Sequence, residues 1–212
     1  MLSISKEILA DLPAVEYTGT PRLIETEEEA KDAVEYLLTQ KEVGFDTETR
    51  PNFHKGSHYK VSLLQIATPD ECFLFRLNKI GITADIKKLL ETEDILKVGL
   101  SVKDDFHSLR KLDPNICPGN FLELQSWVKD FDILDNSLSR IHAIIFGKKI
   151  SKSQRLTNWE ADILTEFQQN YAAIDAWACL TIYHHLNQGL FNPKTSPYRV
   201  LQETIKTSTT DK

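Results

Sequence analysis

The order of elements along this 212-residue chain predicts a mixed α/β domain of three layers, helices packed on the faces of a sheet. Three observations carry that expectation. Successive strand-like segments fill 42–77 as a meander. Beyond them, strand-like and helix-like segments alternate. A long helical pattern rich in small residues then closes the region at 165–186.

Each element has its own signal. Leu23-Ile24 is a short extended piece, and Thr26 with Glu29 three residues on forms a capping-box pattern that opens a helix to about 39. Segment 42–48 (EVGFDTE) alternates around Val43 and Phe45 and reads as a strand. Segments 61–68 (VSLLQIAT) and 72–77 (CFLFRL) follow as two more, joined at Pro69-Asp70-Glu71. A helix at 84–91, a strand at 96–100 and a helix at 102–112 come next, then a fifth strand at 121–127. The remainder to 186 reads as helical, Pro193 closes it, and the last stretch is polar. The expected division is an extension at 1–22, one domain at 23–192 and a polar tail at 193–212.

Composition narrows the class. At 41% hydrophobic and 26% charged, the chain suits a water-facing globular domain with one sizeable core. No apolar run approaches the ~20 residues of a membrane span, so no membrane partner is expected. The start, Met1-Leu2-Ser3-Ile4-Ser5-Lys6, lacks a secretory pattern. Cys72, Cys117 and Cys179 are too scattered for a disulfide framework or a CxxC pair and read as small buried apolar residues. A reducing, cytoplasmic setting is the expectation. The formal charge of −6 argues against a nucleic-acid partner, but local charge decides what a strand meets. Segment 50–60 (RPNFHKGSHYK), with Lys55, Lys60, His54 and His58, and segment 147–155 (GKKISKSQR), with Lys148, Lys152 and Arg155, contain no acid. Each reads either as a solvated loop or as a guide for a phosphate backbone.

Chemistry concentrates in three places. Asp46 and Glu48, two apart on a strand, project to one face, where like charges repel unless a cation lies between them. Alone, such a pair is more often a solvated strand edge. In the helix after 96–100, Val102, Phe106 and Leu109 form an inward stripe, and Asp105 lies beside it while Asp104 falls near the opposite side. Either aspartate can also serve simply as a helix-start carboxylate. Tyr171 and Asp175, one turn apart, share a helix face among Ala172, Ala173, Ala176 and Ala178, which suggests close packing on a sheet. An acid on such a face is costly to bury without a partner or metal.

In their order, Asp46-x-Glu48, Asp105 after Val98-Gly99, and Tyr171-x-x-x-Asp175 resemble the DEDDy exonuclease family. The flanks agree: VGFDTE resembles the family's first strand, VSLLQIA its second, KVGLSVKDD its second motif and NYAAIDAWA its third. SQRLTNWE is similar to the segment before that third motif in ribonuclease D-like and Werner-type exonuclease domains, and DTETRP looks nearer the Werner-type branch. Ser101 and Asp104 depart from the small or neutral residues frequent in relatives.

The resemblance spans about 23–186. It implies a ribonuclease H-like fold with a mixed five-stranded sheet, three strands antiparallel and two parallel, flanked by helices. It implies a 3′–5′ exonuclease acting on a DNA or RNA 3′ end, with no obligate protein partner. The implied cofactors are two divalent cations, Mg²⁺ or Mn²⁺, on Asp46, Glu48, Asp105 and Asp175. Asp46 would bridge both ions, Glu48 and Asp175 would complete the water-activating side, and Asp105 would hold the second. Tyr171 would orient the attacking water; a phenol of pKa near 10 is a poor base at neutral pH. Thr47 sits where the family's backbone approaches the terminal nucleotide, and Lys55, Lys60, Lys148, Lys152 and Arg155 are the expected phosphate contacts. The nearest alternative is a catalytically weak nucleic-acid binder, or a proofreading accessory to a polymerase, on the same fold.

Overall fold

The computed structural model describes residues 1–52 and 59–200; His54, Lys55 and His58, together with 201–212 of the tail, lie outside the described residues. In chain order the elements are α1 (Lys6–Asp11), β1 (Thr20–Ile24), α2 (Glu27–Leu37), β2 (Glu42–Thr49), β3 (Val61–Ala67), β4 (Glu71–Phe75), α3 (Leu77–Ile80), α4 (Ala84–Glu91) and β5 (Leu96–Gly99). They continue with α5 (Val102–Leu109), β6 (Phe121–Glu123), α6 (Leu124–Trp127), a 3₁₀ turn (Val128–Phe131), α7 (Leu138–Phe146) and α8 (Glu166–Asn187). Among the described residues no helix is long and apolar enough to cross a membrane.

The helix starts follow side-chain chemistry. Thr26 Oγ1 accepts from the Glu29 amide at 3.2 Å while the Glu29 carboxylate accepts from the Thr26 amide at 3.1 Å, so the capping box opens α2 as read. Thr165 and Gln168 repeat the arrangement at the start of α8.

The strands form one sheet in the order β1-β4-β3-β2-β5-β6. β2, β3 and β4 pair antiparallel, and β5 and β6 continue from β2 in parallel, which is the expected five-stranded mixed core. A sixth strand, β1, lies parallel to β4 at the edge. Its last two residues are the extended piece read at Leu23-Ile24, while Pro21 hides the first part; an edge strand tolerates proline because one row of its backbone groups is unpaired. Two further corrections concern extent. β6 stops at Glu123, whose side chain accepts from the Gln125 amide and starts α6, so 124–127 is helix and not strand. The stretch after α7 is irregular rather than helical, because Gly147, at φ +67°, terminates that helix in the left-handed conformation.

Apolar side chains fill both faces. Val43, Phe45, Leu64, Ile66, Phe73 and Phe75 meet α2, α4 and α5 on one side. On the other, Leu63, Ala67, Cys72 and Leu74 meet Ala172, Ala173 and Ala176 of α8. Leu2 and Ile4, from the first segment, are buried with Val98, Ile141 and Ile182, and Leu2 bridges to Ile133 and Arg199. Cys72 and Cys179 are buried as expected, while Cys117 is exposed, in the loop between α5 and β6 that packs through Ile116 instead.

The tightest approach is between β2 and α8. A methyl group added at Gly44 would sit 1.9 Å from the Ala176 carbonyl oxygen, both of them backbone positions with no side chain to move aside. Gly44→Ala should therefore cost about 1–3 kcal/mol, the usual range for overpacking a tight core. Thermal unfolding should show a melting temperature lower by several degrees. An unchanged melting temperature would mean that α8 can lift off the sheet without cost.

Candidate active site

Strand geometry sets the first two acids. Gly44 presses against α8, so Asp46 and Glu48, two and four residues on, face the same helix. α8 answers with Asp175, adjacent to the Ala176 contact, and with Tyr171 one turn earlier. Carboxylate oxygens of Asp46, Glu48 and Asp175 lie within 4.8 Å of one another.

Asp105 arrives from elsewhere. Pairing between β2 and β5 ends at Gly44, and α5 begins beside the stretch of β2 beyond it. Thr47 points away from Asp46 and Glu48, and its hydroxyl donates to Asp105 Oδ1 at 2.5 Å. The start of α5 is fastened by a residue the sequence reading missed. Glu123 accepts from the amides of Ser101 at 3.0 Å and Val102 at 2.8 Å, with Ser101 held in the left-handed region at φ 64°. Asp104 is exposed on the other side of the helix, as the stripe argument expected. Asp105 Oδ2 is buried without any hydrogen-bond partner.

Crowding raises every acid. Burial, then Asp175, holds the Asp46 proton well above the usual carboxylate range. Burial and the neighbouring Asp46, Asp175 and Asp105 push Glu48 to about 10, eased by Arg155. Burial and Asp46 push Asp105 to about 8 against the Thr47 bond. Burial lifts Asp175 to about 7, countered by the Tyr171 hydroxyl and by Lys152. Tyr171 is itself pushed well above its usual value, by burial first and then by Asp175, Glu48 and Asp46, so it stays a neutral donor. Oxygen-only donors, mutual repulsion and an unpartnered buried carboxylate oxygen fit a hard divalent cation.

Asp46, Tyr171 and Asp175 open onto a cleft of about 450 Å³. Lys152 and Arg155 line it, as do Gln125, Asn136, Ser137 and Ser139, four polar residues for which the sequence carried no motif signal. Lys60 and Lys148 lie apart. Lys60 borders a separate depression with Tyr59 and Glu160, and Lys148 does not line the cleft, its carbonyl accepting from His142 Nδ1 at 2.7 Å. Arg50 is taken up by Glu160 at 3.2 Å and by the Tyr59 ring, 4.7 Å from its centroid.

Comparison with known proteins bears on the family and the fold. A family model described as a 3′–5′ exonuclease matches residues 21–190. The mouse bifunctional 3′–5′ exonuclease/ATP-dependent helicase WRN is 30% identical over 204 residues, covering 86% of this chain and 14% of that protein. The Aedes aegypti Nibbler EXO domain superposes with a TM-score of 0.73 at 24% identity, covering 85% of this chain and 96% of that one. Escherichia coli RNase D, an exoribonuclease involved in structured RNA processing, gives 0.69 at 21%, covering 79% and 44%. The fold is thus that of ribonuclease H-like exonuclease domains. The chain spans from 14% to 62% of the length of the curated relatives it matches.

The raised acids have a measurable consequence. Asp175, Asp105 and Glu48 hold their protons more tightly folded than at their ordinary values of 3.8 and 4.5, so their contribution to stability is full in acid and is lost as pH climbs through about 7, 8 and 10. With divalent cations chelated, the melting temperature should fall by roughly 5 °C or more between about pH 6 and pH 9. Glu48→Gln should lessen that fall, and Mn²⁺ should raise the melting temperature more at the alkaline end. A flat profile for the chelated protein would contradict the crowding.

Proposed function

Since the chain belongs to the 3′–5′ exonuclease family, we propose that it removes nucleotides singly from the 3′ end of a DNA or RNA strand, using two divalent cations, Mg²⁺ or Mn²⁺. The observation that carries this reading is the convergence of Asp46, Glu48 and Asp175 within 4.8 Å, with Asp105 brought alongside through Thr47. The family assignment makes the chain a hydrolase acting on nucleic acid. The mechanism, ion pair and residue roles are the proposal.

A phosphodiester repels nucleophiles by its own charge, and a divalent pair, when bound, neutralises its oxygens and activates water for in-line attack. Asp46, which interacts by charge with both Asp175 and Asp105, would hold both ions; Glu48 and Asp175 would complete the nucleophile side, and Asp105 would hold the ion on the leaving-group side. The Tyr171 hydroxyl, kept protonated by its surroundings and hydrogen-bonded to Asp175, would orient the attacking water beside that carboxylate. Lys152 and Arg155 offset the acids and meet the terminal phosphate in the cleft. Thr47 fixes Asp105 by its side chain while its backbone faces the terminal nucleotide. A binder that had lost catalysis would be expected to lack one of the acids, and all are in place; a proofreading accessory would share the chemistry and would be told apart by a pull-down with a polymerase.

The test is digestion of 5′-labelled single-stranded and duplex DNA and RNA with Mn²⁺ or Mg²⁺. A ladder shortening from the 3′ end is expected, abolished by EDTA and by Asp46→Asn. Tyr171→Phe should cut turnover by roughly 10–1000-fold with Mn²⁺ affinity retained. Release of the 5′ label first, or full activity in Asp46→Asn, would overturn the proposal.

A further inference from the structure

A second charged surface lies outside the cleft, on the helix that carries Asp105. Lys103, His107 and Arg110, at i, i+4 and i+7, share one exposed face of α5, and Lys111 follows in its closing turn. Asp105 lies off this face, about 200° round the helix from Lys103, and exposed Asp104, at about 100°, borders it beside His107 and Lys111. Among the described residues, Lys103, Arg110 and Lys111 make no ion pair. The nearby Asp113 is engaged by Lys87 at 2.6 Å. On a chain of net charge −6, three cations that form no ion pair, with Asp104 the one acid of α5 at their edge, are a local exception.

Beside the face runs a depression of about 400 Å³, bordered by Lys103, Phe106, Arg110, Pro118, Gly119 and Phe121. The Arg110 guanidinium sits 5.9 Å from the centroid of the Phe106 ring. Glu123 also borders it, but that carboxylate is engaged by the amides of Ser101, Val102 and Gln125. Cations spaced along ~10 Å of helix beside a hollow with ring edges match a single strand, which alternates phosphates with bases able to stack. The surface starts at the same end of α5 as Asp105 but on the opposite side of the helix, so a strand reaches it by passing over the first turn of α5.

We propose that this face of α5 and its depression bind the strand on the 5′ side of the scissile bond. Phosphates lie on Lys103, Arg110 and Lys111, and a base enters the hollow beside Phe121. This rests on the exonuclease reading of the acid cluster: the 3′-terminal nucleotide fills the cleft with Lys152 and Arg155, and the rest of the strand leaves past Asp105.

The test is the triple variant Lys103→Gln, Arg110→Gln, Lys111→Gln in the full chain, with Lys103→Gln alone as a milder form should the triple variant melt early. For a ten-nucleotide single strand, KM should rise roughly tenfold and the slope of log affinity against log salt should become shallower by about 2, or about 0.7 for the single change. Turnover of a dinucleotide should stay unchanged. Fluorescence anisotropy of the labelled ten-mer in EDTA reads the same surface without turnover. A wild type that binds but degrades nothing sinks the exonuclease reading, while the anisotropy still judges this surface. Unaltered KM and salt slope in an active, folded variant overturn the proposal. Polyglutamate competing as well as the oligonucleotide also overturns it, because the face would then take any polyanion.

Discussion

The contact of bare backbone at Gly44 against the Ala176 carbonyl seats α8 on the sheet, and most of the site follows from it. Because Gly44 has no side chain, the helix lies close enough for Ala172, Ala173 and Ala176 to pack directly on Leu63, Ala67 and Leu74. Strand alternation then carries Asp46 and Glu48 toward that helix, and helical periodicity delivers Tyr171 and Asp175 on the facing side. A bulkier residue at 44 would separate the two carboxylate sources before it disturbed anything else.

Against this close packing stands electrostatic repulsion among the acids, which favours keeping them apart or protonated. The fold sustains the arrangement with groups that do no chemistry themselves. Thr47 holds one oxygen of Asp105, and Glu123 holds the amides that begin α5. Ser101 keeps a left-handed backbone that a serine does not favour. Local rules are broken where the chemistry lies and kept elsewhere, as in the paired capping boxes of α2 and α8.

The two short periods, two along a strand and nearly four along a helix, made most of this legible in the sequence. They told which side of β2 Asp46 and Glu48 would share, which of Asp104 and Asp105 would turn inward, and that Tyr171 and Asp175 belong together. What they could not tell depends on non-local pairing. β1 runs its full length only because β4 lies beside it: the sequence showed Leu23-Ile24 as extended, and Pro21 concealed the rest. Glu123, Gln125 and Asn136 reach the site through a parallel strand, a short helix and a loop whose positions no local pattern encodes. Composition misled as well: the stretches at 50–60 and 147–155 look equally basic, yet Arg50 is drawn to Glu160 while Lys152 and Arg155 face the acids.

The irregular segment between α7 and α8 bears those two cations, and its far end is riveted to the sheet. Arg76, fully buried, donates to the Ala161 carbonyl and to Glu25, and Lys79 donates to the Asp162 carbonyl at 3.1 Å. Arg50 holds Glu160 from the end of β2. A run of chain without helix or strand is thereby made a fixed jaw, its conformational freedom given up during folding and not when a nucleotide arrives. A phosphate meeting Lys152 and Arg155 would find the far end of the segment behind them already ordered, and heat should loosen that jaw only together with the sheet to which it is bolted.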